Sequence, residues 1–324
     1  MERWLVTGAA GFIGSHLVEA LLKAGYLVRG VDNYATGRRS NVEDVVRRAG
    51  GAAERFEMRE ADVTDYDACF AACEGVDRIL HMAALGSVPR SLEDPHATFR
   101  ANVIGFEALL TAARDRGIAR VVYASSSSVY GDAPTLPKVE EETGLALSPY
   151  ALSKAMNEET AELYTRVFGM ECVGLRYFNV FGPRQDPNGA YAAVIPRWFD
   201  ALERGERPVV YGDGSTSRDF CYVDNVVEAN ILAATTADPA AFGTAFNIAC
   251  EQRTTLNELF EAIRDLAGAS PDLRPVYEDF RPGDIPHSLA SVEKARRILG
   301  YAPKILLREG LERSSEWYLR RRGA

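Results

Sequence analysis

The feature that most constrains the fold of this chain is a regular alternation of short β-branched runs with longer amphipathic segments. Such alternation is typical of βα units that build a parallel sheet with helices on both faces. Six runs are predicted as strands, namely Leu5 to Thr7, Leu27 to Val31, Arg55 to Met58, Arg78 to His81, Val121 to Ala124 and Glu171 to Leu175. The segments between them, at 12–24, 39–49, 65–73, 98–114 and 149–168, are predicted as helices. The sequence therefore predicts an α/β fold with a doubly wound parallel sheet.

The sequence changes character after Arg176, where turn-forming residues become frequent. Further helices are predicted near 192–204, 223–236, 255–267, 291–299 and 307–320. We expect residues 1–176 to form the sheet domain and residues 177–324 to form mainly a smaller α/β lobe. This lobe would lie at the carboxyl edge of the sheet, where open α/β sheets bind ligands. A segment near 242–248 is expected to return to the main sheet as a strand.

Composition excludes several classes of partner. The chain carries 37 lysines and arginines against 46 aspartates and glutamates, a net charge of −9, which disfavours sequence-independent binding to nucleic acid. The five cysteines are scattered and form no CxxC pair, so a reducing compartment is favoured and no metal site is predicted. No apolar run reaches the roughly 18 residues of a membrane span. We therefore expect a cytoplasmic protein that binds neither nucleic acid nor membrane.

A glycine-rich turn, Thr7 to Gly14, follows the first predicted strand and opens the first predicted helix. Gly8, Gly11 and Gly14 have the spacing that lets the chain turn tightly, approach a pyrophosphate and pack the helix close to the strand. The helix N-terminus adds unpaired N–H groups that attract phosphates. An ordinary tight βα turn is the alternative. The position of the motif, at the start of a βα series, favours a Rossmann-type dinucleotide-binding domain.

The choice of dinucleotide depends on Asp32, which ends the second predicted strand 18 residues after Gly14. Its carboxylate is suited to accept hydrogen bonds from both hydroxyls of the adenosine ribose and would repel a 2′-phosphate. NAD is therefore predicted as the cofactor, although Arg38 and Arg39 leave NADP open. Asp62-Val63, after the third strand, is placed to contact the adenine, with a helix cap followed by core as the alternative.

Tyr150 and Lys154 are four residues apart at the start of a predicted helix, so their side chains share one face. A phenol with a pKa near 10 is a poor base at neutral pH, and an ammonium group one turn away favours its ionised form. Upstream, a serine-rich turn follows the fifth strand at the same edge of the sheet, and Ser126 is predicted to hydrogen-bond the reacting oxygen. A surface Tyr–Lys pair and a polar turn are the alternatives, but their order on successive βα units favours catalysis.

The ordered motifs resemble those of a known family. Six segments carry the resemblance: Thr7 to Gly14, Asp62-Val63, His81 to Ala84, Ser125 to Gly131, Tyr150 to Lys154 and Arg176 to Asn179. Over nearly its whole length the chain is similar to the extended short-chain dehydrogenase/reductases, in the branch that acts on nucleotide sugars. Dehydratases and decarboxylases of that branch carry an acidic residue in the serine turn, which Ser126 to Ser128 lack. The segments Ala84 to Ser91, Arg184 to Tyr191 and Gly212 to Phe220 are most similar to UDP-N-acetylglucosamine 4-epimerases.

The resemblance implies NAD-dependent 4-epimerisation of UDP-N-acetylglucosamine and UDP-N-acetylgalactosamine through a 4-keto intermediate, and extends to UDP-glucose and UDP-galactose. It assigns catalysis to Ser126, Tyr150 and Lys154. The motifs and the resemblance together assign the cofactor contacts to Gly8, Gly11, Phe12, Ile13, Gly14, Asp32, Asn33, Asp62, Val63, Ala83, Ala84, Asn102, Tyr150, Lys154 and Tyr177. A UDP-glucose 4-epimerase, a UDP-hexuronate 4-epimerase and a non-catalytic dinucleotide-sensing scaffold remain open alternatives.

The resemblance also implies how the substrate is held. Arg218 and Arg281 match positions that bind the diphosphate, and a guanidinium fork suits paired phosphate oxygens. Tyr211 corresponds to the aromatic residue at uracil, Asn179 to an amide at the phosphate or sugar, and Asp284 to a carboxylate at the uridine ribose.

Ser288 bears on which sugar the pocket accepts. Related epimerases restricted to non-acetylated sugars carry a tyrosine at the corresponding position, so a serine leaves room for an N-acetyl group. Ser87 and Ser126 are expected in the same pocket. The family further implies a homodimer in which the helices near 98–114 and 149–168 pack as a four-helix bundle.

Overall fold

The computed structural model describes residues 1–187, 192–280 and 286–319. Its strands are β1 Arg3–Thr7, β2 Leu27–Asp32, β3 Phe56–Glu60, β4 Arg78–His81, β5 Arg120–Ser126, β6 Glu171–Tyr177, β7 Val180–Phe181, β8 Val209–Tyr211, β9 Ser217–Asp219, β10 Cys221–Tyr222, β11 Thr244–Ile248, β12 Arg253–Thr255 and β13 Val276–Glu278. Its α-helices are α1 Phe12–Lys23, α2 Arg39–Ala49, α3 Tyr66–Ala72, α4 Val88–Glu93, α5 Pro95–Phe99, α6 Gly105–Asp115, α7 Pro149–Phe168, α8 Val194–Glu203, α9 Val223–Thr235, α10 Leu256–Leu266, α11 Glu293–Leu299 and α12 Leu307–Leu319.

Seven strands form one sheet in the order β11-β6-β5-β4-β1-β2-β3, and every neighbouring pair is parallel. Strands buried on both faces need continuous apolar runs, and in β1 Trp4, Leu5 and Val6 are fully buried. The order along the sheet reverses between β1 and β4, which opens a crevice at their carboxyl ends. The predicted doubly wound α/β fold is confirmed.

Each of the six predicted strands is present, with ends that differ by up to two residues. The strand expected from Arg55 begins at Phe56, because Gly50–Arg55 forms a 3-10 turn. The helix expected over 98–114 begins earlier, at Pro95, where the Asp94 side chain accepts a hydrogen bond from the N–H of Ala97. It then passes through a π-helical turn, Arg100–Ile104, before α6.

The carboxyl edge of the sheet carries three two-stranded pairs, β7 with β10, β8 with β13 and β9 with β12. Their apolar side chains form a separate core with α8, α10 and α12, and Phe12 at the start of α1 packs against that core. The chain returns to the main sheet through β11, which pairs with β6. The glycine-rich turn therefore lies against this lobe. Across residues 1–187, 192–280 and 286–319, the helices lack the combined length and apolar character needed to cross a membrane.

Candidate active site

A cleft of about 520 Å³ opens at the carboxyl ends of β1, β2, β4 and β5. Most of the residues predicted to contact the cofactor line it: Gly8, Gly11, Phe12, Ile13, Gly14, Asp32, Asn33, Asp62, Val63, Ala83, Ala84, Tyr150, Lys154 and Tyr177. Residues distant in sequence thus meet at the switch point of the sheet, where open α/β sheets bind nucleotides.

The glycine-rich turn is shaped as a cradle for a diphosphate. A Cβ on Gly14 would lie 2.0 Å from the carbonyl oxygen of Gly8, and one on Gly8 would lie 2.8 Å from the backbone nitrogen of Ala83. Gly8 also has a φ of +67°, a conformation that favours glycine. Helix α1 begins directly after Gly11 with no side-chain cap and no acidic residue in its first turn. Its positive end therefore faces the cleft, as a bound diphosphate requires.

Asp32 lies at the end of β2, where its carboxylate accepts hydrogen bonds from the N–H groups of Ala10, at 2.9 Å, and Tyr34, at 2.8 Å. Burial raises the pKa of this carboxyl, and those two hydrogen bonds work in the opposite direction. Gly37 is confined here, because a Cβ on it would lie 2.8 Å from both carboxylate oxygens. The carboxylate is therefore held in place at the wall of the cleft, with lone pairs left for ribose hydroxyls.

Asp62 and Asn33 are joined across the cleft wall by a hydrogen bond of 3.1 Å. Burial disfavours the ionised form of Asp62, but hydrogen bonds from Thr64 and Asn33 outweigh it and hold the pKa of the carboxyl below its ordinary value. Arg100, on the π-helical turn, lines the same cleft and was not predicted from the sequence. The property of Arg100 that could have indicated it is its positive charge beside the predicted adenine site.

Asn102 is buried and makes its contacts behind the wall of the cleft. Its side chain accepts a hydrogen bond from the N–H of Leu85 at 2.7 Å and donates to the Leu85 carbonyl and to Ser153. Its carbonyl accepts from the side chain of Asn157. These bonds fix the segment after β4 that contains Ala83 and Ala84. Asn102 therefore supports the wall of the cleft from behind and does not itself line the cleft.

Ser126 and Tyr150, which the sequence predicts to act in catalysis, lie close to each other in the structure. Burial raises the pKa of Tyr150, and a hydrogen bond with Ser126 lowers it in part. The Ser126 oxygen accepts hydrogen bonds from the N–H and the hydroxyl of Ser128, at 3.1 and 2.9 Å. With those lone pairs used, its own proton is left to donate toward Tyr150 or a substrate oxygen.

Lys154 lies one turn after Tyr150 on α7 and is fully buried. Its ammonium donates to the carbonyl of Ala124 at 2.8 Å. Burial lowers the pKa of this lysine to about 8, and the Glu158 carboxylate opposes that shift. Lys154 thus lines the cleft together with Tyr150, one helical turn away.

His81 is a core histidine. Its Nδ1 hydrogen-bonds the Thr7 hydroxyl at 2.8 Å, and its ring packs on Phe106 with centroids 5.3 Å apart. Burial and the charge of Lys154 lower its pKa to about 3, so it is neutral. All five cysteines are buried, and no group of three or more potential metal ligands occurs in the part of the chain that the structure describes.

A second pocket, of about 260 Å³, lies in the lobe between α8 and the short strands. Asn179, Tyr211 and Arg218, all predicted to contact substrate, line it. Asn179 adopts a left-handed backbone conformation, with φ of +35°, and donates to the carbonyl of Asp219 at 3.0 Å. Arg218 donates to the carbonyls of Ser217 and Pro286.

Ser288 lies beside the strand of Arg218, because its N–H donates to the Ser217 carbonyl at 3.0 Å. Ser87 caps α4, because its side chain accepts a hydrogen bond from the N–H of Arg90 at 3.3 Å. Arg281 and Asp284 lie outside the described residues.

Two further lining residues, Arg197 and Trp198, were missed from the sequence. Arg197 stands in the first turn of α8, where a cation is opposed by the helix dipole. A cation at a helix N-terminus was a readable signal for an anionic ligand. Trp198 was hidden among the apolar residues of the same helix, because core and pocket contacts look alike in sequence.

The fold and the cleft define the class of protein: a dinucleotide-dependent enzyme with a Rossmann-type domain and a Tyr–Lys pair. The sequence model of the NAD dependent epimerase/dehydratase family matches residues 4–249. The chain belongs to this family, and NAD is its cofactor.

Known proteins resemble the chain over almost its full length. A UDP-glucose 4-epimerase of Mycolicibacterium smegmatis is 38% identical over 318 residues, which cover 98% of each chain. The crystallised UDP-N-acetylglucosamine 4-epimerase of Methanobrevibacter ruminantium, in complex with UDP-N-acetylmuramic acid, has a TM-score of 0.89 at 37% identity and 98% coverage of both chains. The Thermus thermophilus UDP-glucose 4-epimerase, solved with NAD, has a TM-score of 0.85 at 34% identity and 99% coverage of both.

Proposed function

We propose that this enzyme is a UDP-sugar 4-epimerase that interconverts UDP-N-acetylglucosamine and UDP-N-acetylgalactosamine through a 4-keto intermediate, and UDP-glucose and UDP-galactose as further substrates. The observation that carries the proposal is the position of Tyr150 and Lys154, one helical turn apart, in the wall of the cofactor cleft, with the Ser126 hydroxyl beside Tyr150. The relatives named above support it, because two are named UDP-glucose 4-epimerases and one a UDP-N-acetylglucosamine 4-epimerase.

Each of these side chains has a separate role in the proposed mechanism. Tyr150 removes the proton from the 4-hydroxyl of the sugar and later returns it to the 4-keto oxygen. Ser126 donates a hydrogen bond to the same oxygen, and Lys154 stabilises the phenolate form of Tyr150 by its charge. When bound, NAD would supply a reversible hydride acceptor for C4 and a positive charge that favours the phenolate, and the glycine-rich turn, Asp32 and Lys154 would hold it.

Inversion requires the keto sugar to turn over within the site while its nucleotide stays bound. We assign that anchoring to the lobe of residues 177–324, with Arg218 and Arg197 at the diphosphate and Tyr211 at the uracil. Arg281, Asp284 and Asn179 complete the proposed set. Rotation about the bond between sugar and diphosphate would then present either face of C4 to the cofactor.

Incubation of the purified protein with UDP-N-acetylglucosamine and, separately, UDP-glucose tests this function. We expect both 4-epimers to accumulate without added NAD, as measured by ¹H NMR of the anomeric protons. UDP-glucuronic acid forms a third arm, and turnover of that substrate alone would identify a hexuronate epimerase instead. A protein that turns over none of the three would refute the proposal.

Ser288→Tyr is expected to narrow the pocket beside C2 of the sugar. A bulky ring should clash with an N-acetyl group and spare a hydroxyl, so kcat/KM for UDP-N-acetylglucosamine should fall about 10- to 100-fold relative to UDP-glucose. Ser270→Tyr, at an exposed loop position, is the matched control and should leave the ratio unchanged. Equal losses on both substrates would contradict a gatekeeper role for Ser288.

We also propose that the protein is a homodimer, joined along α7 and the helical segment of α5 and α6. Apolar side chains project into solvent there: Ile104 is 53% exposed, Leu163 is 43% and Val167 is 58%. Leu152, 45% exposed, lies eleven residues before Leu163, which is about three helical turns and places both on one face. Contiguous exposed apolar faces of this kind mark protein interfaces.

Leu163→Glu is expected to convert the proposed dimer into a monomer at micromolar concentration, because a buried, unpaired carboxylate at an interface is strongly unfavourable. Light scattering coupled to gel filtration measures the change in mass. Leu145→Glu, at a 75% exposed leucine outside these helices, is the control and should leave the mass unaltered. A wild-type protein that is already monomeric would exclude the dimer.

A further inference from the structure

Behind the catalytic lysine, one turn further along α7, lies Glu158. Its carboxylate accepts two hydrogen bonds from the Arg176 guanidinium, from Nε at 2.9 Å and from Nη2 at 2.7 Å. It also accepts a hydrogen bond from the hydroxyl of Ser125. Only 16% of the Glu158 side chain and 7% of that of Arg176 are exposed. The pair is therefore a largely buried, bidentate ion pair with defined geometry.

Arg176 anchors this pair to the rest of the sheet. Its Nη1 donates to the Tyr130 hydroxyl at 3.0 Å and to the Glu140 carbonyl at 2.9 Å. Tyr130 in turn donates to Asn247 on β11 at 2.6 Å. The carboxylate of Glu158 thus has a fixed position relative to the ends of β5, β6 and β11.

Titratable and charged side chains surround Lys154 on several elements. The elements packed against α7, together with the end of β4, carry His81, Arg90, Glu93, His96, Arg100, Glu107, Arg114, Asp115, Arg120, Tyr123, Tyr130, Glu171, Cys172, Arg176 and Tyr177, and α7 itself carries Tyr150, Glu159, Glu162, Tyr164 and Arg166. Arg120 pairs with Glu171, Arg114 pairs with Asp115, and Arg176 pairs with Glu158. Burial keeps His81 and the three tyrosines 123, 130 and 177 neutral, by lowering the pKa of the histidine and raising those of the phenols. Glu93, His96 and Arg100 are exposed, so solvent screens their charges. The Glu158 carboxylate raises the pKa of Lys154 against its burial.

We propose that Glu158 is a positioning residue of the active site, which fixes the strand end that carries Ser126 and keeps Lys154 in its charged form. The first action passes through Ser125, which precedes Ser126 on β5, while the carbonyl of Ala124 on the same strand end accepts from Lys154. The second action, which keeps Lys154 charged, comes from the negative electrostatic field of the Glu158 carboxylate at the Lys154 ammonium. The proposal rests on the proposed function for the roles of Tyr150 and Lys154.

Glu158→Gln preserves the size of the side chain and removes its charge. Without the carboxylate, the pKa of Lys154 should fall by about one pH unit. Activity needs the ammonium form, which is lost as pH rises through that pKa. The alkaline limb of the pH profile of kcat/KM should therefore move to lower pH by the same amount.

The ionisation of Lys154 is measurable without turnover. The chain contains five lysines, so protein labelled with [ε-¹³C]lysine gives few signals, and the one missing in Lys154→Met belongs to Lys154. We expect its NMR titration to move about one pH unit lower in Glu158→Gln. Because this readout needs no substrate, it remains valid if the enzyme acts on a different sugar nucleotide.

The matched control is Glu159→Gln, which alters an exposed carboxylate on the same helix and should leave the titration in place. An unshifted Lys154 titration in folded Glu158→Gln would overturn the proposal. If that variant fails to fold, Glu158→Asp decides: it keeps the charge but withdraws it from Ser125. The titration should then stay at the wild-type pH while kcat falls about 10-fold, and an unchanged kcat would overturn the proposal.

Discussion

Tyr150→Phe is expected to lower kcat about 10³-fold, the scale of a lost general acid–base group. That loss corresponds to about 4 kcal/mol of transition-state stabilisation. The phenyl ring fills the same space against Ser126 but has no proton to exchange with the sugar 4-hydroxyl. Nucleotide binding should survive, because the residues proposed to hold UDP lie in the lobe. Epimer formation followed by NMR, together with isothermal titration of UDP, separates the two effects.

Tyr66→Phe is the matched control for this change. Tyr66 is 39% exposed and its hydroxyl donates to Asp115, at the outer side of α3, so its loss should leave kcat unaltered. Near-normal turnover in Tyr150→Phe would remove the tyrosine from the mechanism. A loss of UDP binding equal to the loss of rate would mean that the change had disturbed the fold.

Gly14→Ala is expected to weaken the binding of NAD. The new Cβ would lie 2.0 Å from the Gly8 carbonyl oxygen and 2.8 Å from its carbon, and neither backbone atom can withdraw without moving α1 away from β1. Such overpacking costs about 1–3 kcal/mol. Because this cost would distort the glycine-rich turn that cradles the diphosphate, NAD binding should weaken about 10- to 100-fold. The NAD content of the purified protein and its stimulation by added NAD measure the effect.

Gly51→Ala is the control, because a Cβ at Gly51 meets no atom within 4 Å. It should retain its NAD and its thermal unfolding midpoint. If Gly14→Ala also retained stoichiometric NAD, the close packing of the turn would not be what holds the cofactor.

Much of the main sheet was accessible from the sequence. The apolar runs of β1 and β5 are short, contain β-branched residues and are bounded by turns, a combination typical of buried parallel strands. Several helices were bounded for a related reason: α7 ends at Gly169, whose φ of +70° provides the left-handed cap. Local sequence patterns were therefore sufficient to predict these elements.

Other elements followed from contacts that sequence patterns do not report. The short helix α4, capped by Ser87 with a φ of +111°, lies in a segment without a helical repeat. The π-helical turn at Arg100–Ile104 places Asn102 against Leu85, a partner 17 residues away. Neither the cap geometry nor the partner is encoded by periodicity.

By itself, the sequence determined the class of this protein: a doubly wound sheet, a glycine-rich turn followed by Asp32, the predicted ribose ligand, and a Tyr150–Lys154 pair on one helix face. These features have short spacings, and short spacings map directly onto turns and helix faces. The tertiary structure alone decided what surrounds that pair. It placed Glu158 and Arg176 behind Lys154. It also placed Arg197 at the second pocket. Burial, charge pairing and proximity of this kind depend on how distant strands and helices meet.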